Sequence, residues 1–134
     1  SNTILKQKNK MKQQIELTLG GKKRKFTFGI LMTGNLLERK EFDNDYGYLI
    51  QIMSKNPFKF GHIVMFESLV NTCNKYKKEV DFTELDCLQW LEDDYKNGSP
   101  ALIKFTQTFL GTNENRTPEK SDDSEEKEET PKKK

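Results

Sequence analysis

The chain is poor in the residues that build reactive sites. It carries one histidine, two cysteines and one tryptophan in 134 residues. Two cysteines and His62 cannot complete a zinc-type ligand set, and any Ser–His or Cys–His hydrolase would depend on that one histidine. Ser54, Ser68 and Ser99 lack the glycine elbow that exposes a nucleophilic serine. Cys73 and Cys87 each lie inside an apolar helical pattern and read as free thiols acting as small buried hydrophobes. No apolar run is long enough to span a bilayer. The start, Ser1 to Lys6, lacks the sustained apolar stretch and cleavage site of a signal peptide. Hydrophobic content is only 33%, and the deficit lies at the ends. From Thr112 onward there is no large apolar residue. Such a segment cannot offset its own ordering entropy, so residues 112–134 are expected to be a disordered charged tail.

The formal net charge of +2 conceals an uneven distribution. Residues 1–25 hold eight Lys or Arg and one Glu, and residues 26–111 hold nine bases and twelve acids. This divides the chain into a flexible basic arm (1–12), one folded domain (13–111) and the tail (112–134). Ser1-Asn2 reads as a protease scar, and Met11 as a further candidate start.

The clearest local pattern is Gln14–Gly29. Ile15, Leu17 and Leu19 alternate with polar residues, and after Gly20-Gly21-Lys22-Lys23 the alternation resumes at Phe26 and Phe28. Period-two patterns flanking a glycine-rich turn specify a β-hairpin. A four-residue loop would pair Leu17 with Phe26 and Ile15 with Phe28. A two-residue turn at Gly20-Gly21 would set Leu17 against Arg24. The first register buries more apolar surface and is the one expected. A lone hairpin is marginal in water, so its apolar face must lie on the helices that follow.

The remainder reads as four to five short helices. The first starts near Gly29, with contacts from Ile30, Leu31, Leu36 and Leu37, and Phe42 tucks inward after it. Asp45 caps a second helix whose face is Tyr46, Leu49, Ile50 and Met53. Asn56-Pro57 breaks it and Pro57 opens the third, which presents Phe58, Ile63, Phe66, Leu69, Val70 and Cys73, with His62 as a core or boundary residue. Thr83, three residues before Asp86, provides a capping box for the fourth. There Leu85, Leu88, Leu91 and Tyr95 line the core side, broadened by Cys87 and Trp90. Ser99-Pro100 starts the fifth as N-cap and N1, Leu102, Ile103, Phe105, Phe109 and Leu110 form its stripe, and Gly111 ends it. Trp90, Leu88, Leu91 and Phe105 are expected to hold the two late helices together. The fold class is therefore α+β: an N-terminal hairpin on a small helical bundle.

Motif chemistry is sparse. Glu92-Asp93-Asp94 fans around a helix and reads as a solvated acidic face. Asp43-Asn44-Asp45 lacks the glycine and terminal glutamate of a calcium loop. Gly20-Gly21-Lys22-Lys23 sits in a hairpin turn, not before a helix as a phosphate loop requires. Neither catalytic residues, nor a metal site, nor a cofactor is indicated. Two binding readings remain. Lys6 to Lys12 and Lys22-Lys23-Arg24-Lys25, with Phe26 and Phe28 to stack bases, allow a small nucleic-acid-binding protein. Wide apolar faces on short helices allow a protein-interaction module. For the latter, Phe58, Phe60 and Met65 around Pro57 are the candidate contact residues. Thr27 marks a hairpin edge through which copies could pair reversibly.

The segment Ile15-Glu16-Leu17-Thr18-Leu19, Gly21-Lys22, Phe26-Thr27-Phe28-Gly29, followed by Asp86-Cys87-Leu88-Gln89-Trp90-Leu91-Glu92, resembles the tail assembly chaperones of long-tailed, flexible-tailed bacteriophages. The resemblance covers residues 13–111. It implies a non-enzymatic protein of the host cytoplasm, without membrane attachment, that binds the tape measure protein and helps recruit tail tube subunits. In many members a programmed ribosomal frameshift yields a longer form thought to bring in the tail tube protein. This chain would match the short form, its Lys132-Lys133-Lys134 suiting slippage.

Overall fold

The computed structural model describes residues 14–114, so the basic arm and the tail beyond Glu114 lie outside the described residues. Strands β1 (Gln14–Leu19) and β2 (Lys22–Thr27) form an antiparallel hairpin. It packs on a small bundle of helices: α1 (Ile30–Leu37), α2 (Tyr46–Lys55), α3 (Pro57–Tyr76), α4 (Glu84–Tyr95) and α5 (Pro100–Glu114).

The hairpin takes the two-residue turn. Ile15 faces Phe26, Leu17 faces Arg24 and Leu19 faces Lys22, which corrects the four-residue loop favoured on apolar area. Turn chemistry outweighs the area. A tight hairpin turn that follows the strand twist needs positive φ at both central residues, and Gly20 and Gly21 have φ of 62° and 82°. The apolar surface is not forfeited. Phe28, just past the strand, packs edge-on against Phe105 and Phe109 with ring centroids 5.6 and 5.8 Å apart. Arg24, set opposite Leu17, lays its guanidinium 3.9 Å from the centre of the Trp90 ring and donates from Nε to Leu19 O at 2.8 Å.

A polar strip on α3 holds the second strand. Ser68 Oγ donates to Thr27 O at 3.0 Å, and Thr72 Oγ1 lies 2.8 Å from Lys25 O. Asn71 Nδ2 donates to Thr27 Oγ1 at 2.8 Å, which leaves the Thr27 hydroxyl proton for Thr72 Oγ1, 3.0 Å away. These carbonyls point away from β1, so α3 closes the outer edge of β2. The open edge expected at Thr27 is therefore absent: Thr27 is buried and its strand edge is covered. The outer edge of β1, with Gln14, Glu16 and Thr18 exposed, is joined by no hydrogen bond to another element among the described residues.

The core runs between hairpin and bundle through Phe26, Met32, Leu36, Phe42, Leu49, Met53, Val64, Met65, Phe105 and Phe109. Asp45 caps α2 by accepting from Tyr48 N at 2.9 Å. Thr83 and Asp86 form the reciprocal capping box of α4, and Pro57 opens α3. Phe42 is fully buried. Cys73 and Cys87 are buried and free, and burial pushes the Cys87 thiol up to about 12. Arg39, just after α1, pairs with Glu67 of α3 at 2.9 Å and with Glu84 of α4. Burial opposes its charge, but the two carboxylates outweigh that and raise its pKa.

Four local expectations are corrected. Ile30 and Leu31 are exposed, and α1 is anchored through Met32 and Leu36. The reason is its eight-residue length, which buries only one i, i+4 pair. Trp90 and Phe105 do not mainly join the late helices. Trp90 receives the hairpin tip, and Phe105 meets Phe26 at 5.4 Å and Phe28. Ile103, placed on the α5 stripe, is about half exposed. Gly111 does not end α5, which continues to Glu114 with Thr112 buried, because Thr112 prolongs the inward face of Phe105 and Phe109 by one turn.

The docking of the tip sets a test. A Cβ added at Gly20 would lie 2.4 Å from Trp90 Nε1, whereas one at Gly21 would meet nothing within 4 Å. Gly21→Ala should cost about 1–2 kcal/mol, the left-handed backbone penalty alone. Gly20→Ala should cost clearly more, because the indole must move as well. Denaturation midpoints of the two variants check this, and equal midpoints would show that the tip does not rest on Trp90.

Candidate functional site

The rotation of α4 creates the site. This helix carries two apolar sides, one through Cys87 and Trp90, the other through Leu85, Leu88 and Tyr95. The hairpin tip and Phe82 engage Trp90, and Cys87 is fully buried. The stripe expected to face the core is thereby turned outward, leaving Leu85 and Tyr95 60% and 65% exposed. Against its inner flank lies the start of α3, and the start of α5 closes one end.

The result is a groove of about 220 Å³. α3 contributes Phe58 and His62, α4 contributes Leu88, Leu91, Glu92 and Tyr95, and the start of α5 contributes Ser99 and Leu102. Gly61 lets α5 approach, since a Cβ there would lie 2.9 Å from Leu102 Cδ1. Phe58 and Tyr95 meet edge-to-face at the rim, 6.2 Å between centroids.

Two residues of this lining each carry a polar atom that is buried and has no partner among the described residues, Ser99 Oγ and His62 Nδ1. Ser99 was expected to cap α5. It precedes the helix but has φ of 58°, and its hydroxyl does not cap. Asp94 does so instead, accepting from Ala101 N and Leu102 N, both at 3.0 Å. Asp94 is thus a structural cap contributed by the end of α4 and not part of a solvated face. Ser99 Oγ is left buried and unsatisfied in the groove wall. Glu92, at the same groove, has no ion-pair partner among the described residues, whereas Asp93 pairs with Lys96 and Glu84 with Arg39.

Ser99, His62 and Glu92 share the groove, but no hydrogen bond joins serine and histidine, so no proton relay is assembled. Among the described residues no cluster of His, Cys, Asp and Glu could hold a metal ion, and no helix is long and apolar enough to cross a membrane. The groove offers an apolar lining and one carboxylate, Glu92, without an ion-pair partner among the described residues.

The candidate contact residues are scattered. Phe58 lies at the groove rim and is exposed. Phe60 is partly buried and packs edge-on against Phe42 at 5.4 Å, bracing α3 on the α1–α2 connection. Met65 is fully buried and Thr27 lies in the hairpin seal, so neither reaches the surface. Leu88, Tyr95, Ser99 and Glu92 are not among the contact residues expected from the sequence. The signal for the first two was the second apolar stripe of α4. Comparison with protein-family models, with curated proteins and with solved structures returns no significant match to this chain.

Burial lowers the pKa of His62 from its usual value; Glu84 and Glu41 oppose this and Arg39 adds to it. The folded state thus binds the proton more weakly than the unfolded chain, whose imidazole titrates near ~6.5. Stability is full above that value and falls as pH drops through the folded pKa. Denaturation midpoints of wild type and His62→Asn, each compared between neutral and mildly acid buffer, should show the larger loss in wild type. Equal losses would show that the imidazole is not desolvated.

Proposed function

We propose that this chain is a non-enzymatic tail assembly chaperone of a long-tailed bacteriophage or prophage. In this reading it acts in the host cytoplasm, binds the tape measure protein and helps recruit tail tube subunits, the tube contact resting mainly with a longer frameshifted form. One observation carries the reading beyond the sequence resemblance. The two segments that bear the resemblance, the hairpin and the tryptophan helix, pack directly on each other through Gly20, Arg24 and Trp90. They form one structural unit, as a shared family core would. The groove beside them suits protein recognition, because an apolar channel between helices accepts side chains of a helical client.

The nucleic-acid alternative loses its stacking component. Phe26 and Phe28 are buried, and Arg24 is committed to Trp90 and Leu19 O. Of its hairpin-turn lysines, Lys23 is exposed and Lys22 pairs with Asp81 at 3.7 Å, and its basic arm, Lys6 to Lys12, lies outside the described residues. A chaperone that coats a long client works in many copies, so reversible self-association belongs to the same proposal.

Co-expression with the tape measure protein of the same phage or prophage tests the reading. Stable co-purification is expected. No capture, together with tight salt-sensitive binding to DNA or RNA, would replace the chaperone with the nucleic-acid reading.

A further inference from the structure

Positive charge gathers where the end of α3 meets β2. Tyr76, the last residue of α3, is 43% exposed. The ammonium groups of Lys25 and Lys75 lie 5.1 and 5.6 Å from its ring centre. Lys77 and Lys78 follow it and are exposed, and Lys23 shares the strand face of Lys25 two residues away. These five lysines form no ion pair among the described residues. Three carboxylates border them. Asp81 holds Lys22 at 3.7 Å, Glu16 faces Lys25 across the ladder without pairing with it, and Glu79 is exposed. Lysines at a helix end offset its negative pole, which accounts for Lys75 and Lys77. It does not account for Lys23 and Lys25, which the hairpin brings. The polar seal fixes that meeting, since Thr72 Oγ1 lies 2.8 Å from Lys25 O one turn before Tyr76. Gathered like charges repel one another, and an anionic occupant would relieve this.

The chain carries a matching anion. Residues 122–129 hold six carboxylates and one lysine, a net charge of −5. The block starts eight residues past Glu114, the end of α5. Extended chain covers about 3.3 Å per residue, so the block can lie up to about 25–50 Å from that end. A domain of a hundred residues has a radius of gyration of only about 13 Å, so the lysine face is within reach. A tether this short holds the block at a millimolar effective concentration. The other basic segment, with Lys6, Lys8, Lys10 and Lys12, has no aromatic residue. At the α3 end, the Tyr76 hydroxyl adds a donor for a carboxylate.

We infer that the acidic block, residues 122–129, folds back within the same molecule onto the lysine face around Tyr76, so that the chain carries its own competitor for polyanions. The contact is electrostatic and weakens as salt rises. A polyanion reaching this face must first displace the block. The tail therefore lowers the affinity of the hairpin and the α3 end for nucleic acid without touching the α3–α4–α5 groove, whose lining lies on other residues.

Paramagnetic broadening in the full chain tests the contact. Cys73 and Cys87 are buried, so Ser124→Cys gives one accessible thiol for a nitroxide. Amide signals should broaden most at Lys23, Lys25 and residues 75–78, and the effect should vanish at ~1 M salt, where charges are screened beyond about 3 Å. Labelled chain mixed with unlabelled, isotope-enriched chain should show no broadening. Even broadening over the domain, a maximum on another surface or on residues 6–12, or broadening seen in the mixture would each overturn the inference. Binding of a short single-stranded oligo-dT tests the consequence. Asp→Asn and Glu→Gln at residues 122, 123, 125, 126, 128 and 129 should tighten it about tenfold, the ratio of a millimolar effective concentration to a ~10⁻⁴ M non-specific contact. Adding Lys75→Gln and Lys78→Gln should remove that gain, whereas the charge-matched Lys55→Gln and Lys104→Gln should keep it. All four lysines are exposed, so folding should be spared. No gain, or equal loss with either lysine pair, would overturn the inference. The tape measure protein enters none of these measurements, so they decide the tail contact independently of the chaperone reading.

Discussion

The structure depends on how α3 closes the outer edge of β2. A two-stranded ribbon has two edges, and burying one against a helix strands its carbonyls unless the helix brings donors. α3 brings three, Ser68, Asn71 and Thr72, to Lys25 O, Thr27 O and the Thr27 hydroxyl. Each buried carbonyl left without them would cost about 1–3 kcal/mol. With the strand fixed, Phe26 is driven into the core and the tip reaches Trp90. Trp90 then sets the rotation of α4, and that rotation exposes Leu85 and Tyr95 and opens the groove. The groove is thus a remote consequence of the polar seal, at the other end of the same twenty-residue helix.

Local signals in the sequence were legible wherever one short-range interaction decides the outcome. Asp45, Pro57 and the Thr83–Asp86 box each act within one helical turn, and all three start helices where the sequence places them. Phe42 is buried, its ring packed edge-on against Phe60 of α3. The register of the hairpin was misread because apolar area was weighed above turn geometry, and at Gly20-Gly21 the positive-φ turn decides. Arg24 could be set against Leu17 only because an indole from a distant helix receives it. That contact is invisible in a linear pattern.

The site was less legible than the fold. α4 has apolar residues on two sides, and periodicity alone cannot say which side a hairpin will claim. Phe58 was singled out and lies on the rim, but Phe60 and Met65, chosen with it, support the core. Asp94 sits in an acidic run that looks solvated, yet it caps α5 from the preceding helix. That long-range cap leaves the buried Ser99 hydroxyl without a partner among the described residues. The hairpin and the tryptophan helix, far apart in sequence, pack directly on each other through Gly20, Arg24 and Trp90.

If the polar seal governs the whole, hairpin and helices must open together. Amide hydrogen exchange measures this directly. The ladder amides of Leu17, Leu19, Arg24 and Phe26 should exchange only through global unfolding, with the same opening free energy as the α3 amides of Met65 and Leu69. Ladder amides that exchange orders of magnitude faster than those of α3 would show a hairpin that lifts off by itself. That result would contradict the account in which α3, through the hairpin, shapes the groove.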